Sequence, residues 1–310
     1  MTSAIGIDLG GTNIKGVLIN ANGEVLFQVI KATKDKREEQ INGEEGEWKQ
    51  TIISIIQELK LHSIHEIGAI GLAAPGLPNP SNSAIRILPE RLRGLENLNW
   101  SDCLHEKEVW VINDAHAALI AESKFGIGKD KKNIVMLTWG TGIGGGILIN
   151  GELYQGHFQM AGHLGHMVLD INKENPGITG MPGTMENALG DATVIKRSFG
   201  RFESTRLLVE AYKRGDTFAT YIWLNSLRQL AMGLCSLSNF LSPELIILGG
   251  GVTKAAEDLF LPLGDFMRVY EWQNTGKNTP VKQAQYKEIA GAVGAAGFAL
   301  SKGVFEKLNQ

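Results

Sequence analysis

The hydrophobic pattern at the start of the chain has the alternation of β-strands. Residues 4–20 alternate apolar side chains around the sequence DLGGT, and a second apolar run, residues 25–30, follows the turn sequence ANG at residues 21–23. Two apolar runs joined by a short turn that contains glycine are typical of a β-hairpin. From Trp48 to Leu61 the apolar residues instead lie three and four positions apart, which predicts an amphipathic helix.

Strand and helix patterns alternate through the rest of the chain. The charged stretch between Lys31 and Trp48 is predicted to be an exposed loop. The predicted strands are residues 67–73, 109–112, 133–138 and 245–248, and the predicted helices are residues 115–124, 221–241, 253–267 and 289–300. This alternation predicts an α/β protein in which helices cover mixed sheets.

The chain also contains an internal repeat. The sequence DLGGTNIKGVLINANG, which begins at Asp8, resembles TWGTGIGGGILINGE, which begins at Thr138, when the second is shifted by 130 positions. Both copies have the pattern of a strand, a glycine turn and a second strand. Chance similarity between two glycine-rich hairpins is the alternative. The favoured interpretation is a duplicated domain whose two hairpins face each other across a central cleft.

Size and charge limit the classes of function. The chain has 310 residues, which is enough for two domains. Hydrophobic residues make up 43% and charged residues 20%, as in soluble globular proteins. The formal net charge of -3, with scattered Lys and Arg, argues against general electrostatic binding to nucleic acid or to a membrane. We therefore expect a small-molecule substrate.

Cysteine usage and the chain's apolar segments predict where the protein works. The two cysteines, Cys103 and Cys235, are far apart and form no CxxC pair, which favours a reducing compartment. The N-terminus lacks the basic and apolar regions of a signal peptide. The most apolar helical stretch, residues 289–300, is shorter than the roughly 20 residues that span a bilayer. These features predict a cytoplasmic protein.

The glycine turns of the two hairpins are candidate anion-binding sites. Backbone N–H groups can converge on a phosphate there because no side chains intervene. Residues 140–145 also match GxGxxG, but a dinucleotide fingerprint opens a helix, whereas the following GILINGELY predicts a strand. The sequence contains no GxxxxGK[ST] either. Rossmann and Walker-type nucleotide sites are therefore excluded.

Two aspartates follow predicted strands. Asp8 directly precedes the first glycine turn, where a carboxylate can hold Mg²⁺ directly or through water, although a turn-forming Asp is the alternative. Asn113 and Asp114 lie between a buried strand and a helix, where α/β sheets place their ligands. Helix capping alone is an equal alternative for Asp114.

Several motifs together resemble one family. DLGGTNIKG, GLAAPGLPNP, VINDAHAALIAE, TWGTGIGGG and AGHLGHMVLD follow one another in the order found in the ROK family of bacterial sugar kinases. This resemblance covers nearly the whole chain. It implies a two-lobed actin-like ATPase fold of the ribonuclease H-like type, with ATP and Mg²⁺ as cofactors and a hexose or N-acetylhexosamine as acceptor. ROK repressors carry a DNA-binding helix-turn-helix before the kinase motif, and here the motif begins near residue 5, so no nucleic-acid partner is expected.

The resemblance assigns roles to individual residues. It makes Asp114 the general base that accepts a proton from the sugar hydroxyl, expected to be the 6-hydroxyl, with Asn113 beside it. The sugar pocket is implied to include Pro75, Gly76, Asn97, Asn113, His163, His166 and Glu186. The nucleotide and its phosphates are implied to contact Asp8, Gly10, Gly11, Thr12, Asn13, Lys15, Thr138, Gly140, Thr141, Gly142, Gly249, Gly250 and Gly251. Lys15 is equally well explained as an exposed strand lysine.

The chain departs from the family pattern at two places. His163 replaces the acid of the family motif GExGH, and an imidazole can donate or accept a hydrogen bond, so the sugar preference is expected to change. The family's zinc-binding CxCGxxGCxE is represented by residues 177–186, in which all three cysteines are absent. Structural zinc needs four ligands, so no zinc site is expected. Pro176, Pro182 and packing of Met181 and Met185 are expected to rigidify this loop instead.

These inferences combine into one prediction. Residues 1–114 with 290–310 form a small lobe, and residues 115–289 form a larger lobe that contains the nucleotide site and a dimerisation surface. The chain is predicted to be a homodimeric ATP-dependent sugar kinase. The alternatives are a catalytically impaired sugar-binding regulator of the same fold and an ATPase that acts on a protein partner.

Overall fold

A computed structural model describes residues 2–33, 47–88, 92–106, 109–173, 180–273 and 276–308. The chain forms two compact units, called unit 1 and unit 2 below. Unit 1 comprises Met1–Asp130, Gln155–Met160 and Glu288–Gln310, and unit 2 comprises Lys131–Tyr154 and Ala161–Lys287.

Strands and helices alternate along the chain, as the sequence predicted. The strands are β1 (Ser3–Leu9), β2 (Asn13–Asn20), β3 (Val25–Ala32), β4 (Ile67–Ala74), β5 (Leu77–Pro78), β6 (Ile85–Ile87), β7 (Val109–Asn113), β8 (Ile134–Trp139), β9 (Ile143–Ile149), β10 (Glu152–Leu153), β11 (Leu245–Gly249) and β12 (Val281–Gln283). The α-helices are α1 (Trp48–Leu61), α2 (Trp100–Leu104), α3 (Asp114–Lys124), α4 (Met185–Leu189), α5 (Val194–Arg197), α6 (Thr205–Lys213), α7 (Thr217–Leu241), α8 (Glu257–Tyr270) and α9 (Ala290–Leu308).

Unit 1 is built on a sheet with the strand order β3-β2-β1-β4-β7. β1 pairs antiparallel with β2 and parallel with β4, which pairs parallel with β7. Helix α1 buries its apolar stripe in the core of this unit, and Gly16 of β2 leaves the space that Ile55 of α1 fills. The first glycine turn connects the carboxyl end of β1 to β2.

Helix α9 lies against β1 and β4 at backbone contact. A Cβ on Gly6 of β1 would lie 1.9 Å from the Ala292 carbonyl oxygen, and a Cβ on Gly71 of β4 would lie 2.0 Å from that of Ala295. Glycine at these two positions therefore allows the helix to lie directly on the sheet. The predicted tightly packed helix at residues 289–300 is confirmed.

Unit 2 is built on a sheet with the strand order β10-β9-β8-β11-β12. β8 pairs antiparallel with β9 and parallel with β11, which pairs parallel with β12. Its core contains the long helix α7, which begins after the cap Asp216 and packs against α8 and α6. The second glycine turn lies between β8 and β9.

The two sheets repeat one topology. In each unit an antiparallel hairpin carries the glycine turn. On its other side, the first strand of the hairpin is followed in the sheet by two parallel strands. The strands β1 and β2 lie about 130 positions before β8 and β9, which is the shift of the sequence repeat. The predicted α/β class with a duplicated domain is confirmed. The predicted cleft stays a prediction.

The unit boundaries fall at 130/131, 154/155, 160/161 and 287/288. The sequence placed its lobe boundaries at 114/115 and 289/290, with α3 in the larger lobe. In unit 1 helix α3 packs on α9, where a Cβ on Gly294 would lie 1.7 Å from the Ala117 carbonyl oxygen. The limits of independently folding lobes, and the location of a dimerisation surface, stay predictions.

Some predicted elements shift at their ends. The predicted helix at residues 253–267 begins later, because Gly251–Ala255 form a 3-10 helix and Ala256 has a positive φ of 52° before α8. The predicted loop between Lys31 and Trp48 includes residues 34–46, which lie outside the described residues. Among the helices that the structure describes, none is long and apolar enough to cross a membrane.

Candidate active site

The first glycine turn connects β1 to β2 in unit 1. The amide of Gly10 donates to the carbonyl of Asn13 at 3.2 Å, and Gly11, Thr12 and Asn13 are exposed. Thr33, directly after β3, holds this turn: its Oγ1 donates to the Gly10 carbonyl at 2.6 Å and its amide donates to the Thr12 carbonyl at 2.9 Å. The Thr33 side chain is fully buried. The structure therefore places the predicted phosphate-binding residues on a fixed, exposed turn.

Asp8 lies near the carboxyl end of β1, opposite Lys15 on β2. Its carboxylate faces the first turn of α9, since a Cβ on Gly291 would lie 2.7 Å from its Cγ. Burial and the negative charge of Asp114 raise the pKa of Asp8 to about 7, and the positive charge of Lys15 opposes this shift. A cation bound near this carboxyl group would favour its ionised form.

Lys15 has an internal partner. Its ammonium group donates to the Glu288 carbonyl at 2.7 Å, just before α9. Lys15 therefore joins β2 to the segment that leads into α9, and its predicted contact with phosphates stays a prediction.

Asn113 and Asp114 stand at the start of α3. The Oδ1 of Asn113 accepts from the amides of Ala115 at 3.0 Å and His116 at 3.3 Å, so Asn113 caps the helix. Asp114 is the first helical residue and its side chain is exposed, with Oδ1 also accepting from the Ala115 amide at 2.8 Å. Asn113 is therefore the N-cap, Asp114 also bonds an amide of the first turn, and the role of Asp114 as a base stays a prediction.

The loop after β4 is tied to this helix start. The Nδ2 of Asn113 donates to the Gly76 carbonyl at 3.0 Å. Gly76 has a φ of 99°, and a Cβ there would lie 2.5 Å from the Ile87 carbonyl oxygen of β6. Asn97, with a φ of 59°, donates its amide to the Ile85 carbonyl of β6 at 2.7 Å. Strand β6 thus brings Pro75–Gly76, Asn97 and Asn113 together in unit 1.

The second glycine turn connects β8 to β9 in unit 2. The amide of Gly140 donates to the carbonyl of Gly142 at 3.0 Å. A separate segment also holds the turn, because the amide of Asp191 donates to the Gly140 carbonyl at 3.1 Å and that of Ala192 donates to the Thr141 carbonyl at 3.0 Å. Asp191 and Ala192 were missed from the sequence, where no glycine motif marks them.

Glu186 contacts the second turn directly. It lies in α4, whose cap is Thr184, and its Oε2 accepts from the Ile143 amide at 2.9 Å. A Cβ on Gly142 would lie 2.2 Å from the same oxygen, so glycine at 142 makes room for the carboxylate. A residue predicted for the sugar pocket therefore touches a turn predicted for phosphates.

His163 caps a single 3-10 turn, Leu164–His166, of which His166 is the last residue. Their rings are parallel within 11°, with centroids 6.4 Å apart. Gly165 between them packs against the Ile143 carbonyl, which a Cβ would approach to 2.1 Å. The Nδ1 atom of His166 is buried and has no hydrogen-bond partner among the described residues. The backbone of Gly165, which lies between the two histidines, and the Glu186 carboxylate thus both contact Ile143 at the start of β9.

The predicted adenosine contacts lie next to the same turn. β11 ends at Gly249, which pairs with Thr138 of β8, and Gly250 has a φ of 90°. A Cβ on Gly250 would lie 2.2 Å from the Trp139 carbonyl oxygen. The structure therefore brings Gly249–Gly251 to the end of β8.

The segment that replaces the zinc-binding cysteines is only partly visible. Residues 177–179 and Pro176 lie outside the described residues. Met185 is fully buried against Gly233, whereas the Met181 side chain is 39% exposed, so the predicted packing holds for Met185 and is wrong for Met181. Backbone bonds from Leu169 to Gly183 and from Met185 to Met167 hold the loop instead. Within the described ranges no group of three or more His, Cys, Asp or Glu side chains is placed to hold a metal ion.

The two sheets, each with a glycine turn at its first hairpin, have the actin-like ATPase fold of the ROK sugar kinase structures. The sequence matches the ROK family over residues 4–302, and the chain belongs to this family. The glucokinase of Thermotoga maritima is 30% identical over 313 residues, which cover 94% of this chain and 95% of that protein.

Two solved structures share the fold. A ROK hexokinase from Thermus thermophilus matches with a TM-score of 0.84 and 27% identity, covering 98% of this chain and 99% of its own. A ROK family glucokinase from Streptomyces griseus in complex with glucose and AMPPNP matches with a TM-score of 0.77 and 24% identity, covering 96% of this chain and 99% of its own. The predicted family and fold class are confirmed.

Proposed function

We propose that the chain transfers a phosphoryl group from ATP to the 6-hydroxyl of a hexose or N-acetylhexosamine, with Asp114 as general base. The start of α3 supports this proposal most directly. Asn113 caps the helix, and the exposed Asp114 carboxylate lies close enough to Asp8 for its charge to raise the pKa of that residue. A carboxylate that does not serve as the cap can accept the proton of an attacking hydroxyl.

By enzyme class the chain is an ATP-dependent sugar kinase. It belongs to the ROK family along nearly its whole length, and it resembles the Thermotoga maritima glucokinase over 94% of its residues. The Streptomyces griseus glucokinase of the same fold was solved with glucose and AMPPNP, an analogue of ATP.

The chain's own groups suit Mg²⁺ and ATP. When bound, Mg²⁺·ATP supplies the γ-phosphoryl group and neutralises part of its charge. In unit 1 the exposed backbone of Gly11 and Thr12 offers N–H groups to phosphate oxygens, and in unit 2 the exposed Thr141 does so, without side chains in between. Asp8, with its pKa of about 7, offers the cation a carboxylate, directly or through water.

Candidate sugar-binding groups are proposed within each unit taken by itself. In unit 1 Asn113 fixes the Pro75–Gly76 loop and keeps one N–H of Nδ2 for a sugar hydroxyl, with Asn97 on the adjoining segment. In unit 2 the imidazoles of His163 and His166 and the Glu186 carboxylate offer further donors and acceptors. Such fixed groups orient the hydroxyl for attack, which is the main task of the protein in phosphoryl transfer.

The experiment is a coupled assay of ADP release with glucose, mannose, fructose, allose, N-acetylglucosamine and N-acetylmannosamine. We expect at least one sugar to stimulate ADP release. Asp114→Asn should then lower kcat by roughly 10²–10⁴-fold with folding intact, the range typical of a positioned base.

Asp102→Asn is the matched control. Asp102 is also an exposed aspartate in the first turn of an Asn-capped helix of unit 1, since Asn99 caps α2. The control should keep wild-type activity. Near-normal turnover of Asp114→Asn would overturn the assignment of the base. Sugar binding without ADP release from the wild type would favour the regulatory alternative.

We further propose a homodimer that works in the cytoplasm and binds no nucleic acid, with the nucleotide site and the dimer surface within residues 115–289. Exposed apolar side chains on α7 and α8, such as Tyr221, Phe240 and Leu261, support a subunit contact there. Sedimentation at micromolar concentration tests it, and a monomer would contradict it.

A further inference from the structure

Arg197 is a largely buried arginine at the end of α5 in unit 2. Its Nη2 donates to the carbonyls of Leu189 at 3.0 Å and Gly190 at 3.2 Å. Its Nη1 donates to Ser226 Oγ at 2.8 Å, and its Nε donates to Thr193 Oγ1 at 3.2 Å. The planar guanidinium thus binds two successive carbonyls. It also donates to Ser226 of α7.

The carbonyls that Arg197 binds begin the segment that holds the second glycine turn. The next two amides, those of Asp191 and Ala192, donate to the carbonyls of Gly140 and Thr141. The Leu189 carbonyl also accepts from the indole N–H of Trp139 at 3.0 Å. One carbonyl is therefore shared by the guanidinium and by the residue that directly precedes the turn.

The close approach of this segment depends on its glycine. A Cβ on Gly190 would lie 2.9 Å from the Glu186 carbonyl oxygen and 3.1 Å from that of Thr141. The turn and the segment are therefore in backbone contact, and a shift of the segment moves the turn with it.

Packing alone does not explain Arg197, because burying its charge costs free energy. All four of its acceptors are neutral oxygens, and burial lowers the pKa of the guanidinium to about 10 although Asp191 opposes the shift. Apolar side chains often replace such buried charges without loss of stability. What an apolar side chain or a lysine cannot reproduce is a planar group whose Nη2 holds both carbonyls while its Nη1 and Nε bond Ser226 and Thr193.

We propose that Arg197 is a positioning residue for the nucleotide: through residues 189–192 it fixes the direction of the backbone N–H groups in the Gly140–Gly142 turn. This inference rests on the proposed function, because it takes that turn to bind the phosphates of ATP. Arg197 acts through the segment and touches no substrate.

The test compares Arg197→Lys with the wild type and with Arg201→Lys. Arg201 lies four positions later in unit 2 and makes an exposed ion pair with Asp216 at 2.5 Å, so its variant is a matched control. We expect Arg197→Lys to raise the Kd for Mg·ADP, measured by calorimetry, and the KM for ATP by roughly tenfold, with the KM for the sugar within about twofold of wild type. Arg201→Lys should leave all three values unchanged.

Hydrogen exchange separates positioning from general destabilisation. In Arg197→Lys the amides of Asp191, Ala192 and Ile143 should exchange faster, whereas the amides of β11 should keep their protection. If Arg197→Lys does not fold, Thr193→Val should give the same pattern with a smaller rise in Kd. This variant removes the Nε acceptor together with the bonds from the Thr193 hydroxyl to the carbonyls of Gly190 and Glu186.

The outcomes distinguish the two proposals. Wild-type protein that binds Mg·ADP, combined with an unchanged Kd in Arg197→Lys, overturns the positioning role alone. Equal losses of ATP and sugar affinity, with faster exchange throughout unit 2, also overturn it, because they indicate a purely structural role. Wild-type protein that binds Mg·ADP and releases no ADP with any sugar overturns the proposed function, while the Kd comparison still decides the role of Arg197. Wild-type protein that binds no nucleotide overturns both.

Discussion

Single residues at the start of α3 divide two tasks between neighbouring side chains. Asn113 uses its oxygen to cap the helix and its nitrogen to hold the Gly76 carbonyl. An aspartate at 113 would keep the acceptor and lose the donor, so the two bonds together require an amide. Asp114, which is not needed as the cap, is exposed for the proposed proton transfer.

The raised pKa of Asp8 predicts a pH-dependent stability. Between pH of about 3.8 and about 7 the folded state binds more protons at Asp8 than the unfolded state does, so the free energy of unfolding falls as pH rises through this window. Asp8→Asn removes this fall in the free energy of unfolding, because an amide does not titrate. Urea denaturation without Mg²⁺ should show the variant gaining on the wild type by on the order of 2 kcal/mol between pH 5 and pH 8.

A second variant checks the physical cause. Burial is the larger cause of the shift and the charge of Asp114 is the next. In an Asp114→Asn background the gain from Asp8→Asn between the two pH values should therefore shrink without vanishing. A gain that is the same at pH 5 and pH 8 in the wild-type background would contradict the raised pKa.

The sequence predicted those site residues that a local pattern marks. Both glycine turns are continuous motifs, and Asp8 and Asp114 stand at strand ends, so position marked them as candidates and the family resemblance assigned their roles. Thr33 and Arg197 were missed because their importance lies in contacts to carbonyls of residues distant in sequence or in irregular segments. A lone Thr or Arg carries no local signal for such a bond.

At the scale of elements, α9 shows how small residues determine packing. Gly291, Gly294 and the glycines of β1 and β4 allow the helix to approach neighbouring backbone and the Asp8 carboxylate. Because Asp8 and α3 both contact α9, the helix supports the two acidic positions of the proposed site in unit 1. Changes in α9 should therefore affect stability and the site together.

Gly294→Ala tests the close approach of α9 to α3. The added Cβ would lie 1.7 Å from the Ala117 carbonyl oxygen, and overpacking of this kind costs about 1–3 kcal/mol. The matched control is Gly264→Ala in α8, where the nearest atom would lie 3.9 Å away, and where helix propensity should raise stability by about 0.5–1 kcal/mol. Thermal denaturation should thus show opposite signs, and two shifts of the same sign would contradict the packing argument.

Long periodic elements were predictable and short ones were not. The helices α1, α3, α7 and α9 were predicted, α1 from its apolar spacing. Helices α2, α4 and α5 have four or five residues each, too few for a periodic pattern to develop, and they were missed, as was the nine-residue α6. The short helix α4 nevertheless carries Glu186, so the geometry of the site depends on an element that the sequence did not reveal.

At the scale of the whole molecule, the repeat is present in the sequence and in the sheet topology. It does not include the residues that hold the two glycine turns. Both glycine turns are held from outside their hairpins, the first by Thr33 and the second by Asp191 and Ala192. The repeated part is the hairpin with its parallel neighbours, and the supporting residues differ between the units. The shared topology was therefore predictable, and the supports were not.

The missing cysteines predict how the molecule responds to metal removal. Buried Met185 and the backbone bonds at Gly183 hold the 180–186 loop, so dialysis against a strong zinc chelator should leave the Tm unchanged. Metal analysis of the purified protein should find far less than one zinc per chain. A fall in Tm that added zinc reverses would contradict this expectation.

The position of α9 along the chain has a consequence for synthesis on the ribosome. Helix α9 covers one face of the unit 1 sheet. It is translated after unit 2, long after α3 has ended at Lys124. The delay between α3 and α9 is on the order of 10 s at common elongation rates. During that interval the nascent strands β1 and β4 expose apolar surface that chaperones recognise. Ribosome-bound chains that end before Ala290 should therefore remain protease-sensitive in their first 130 residues.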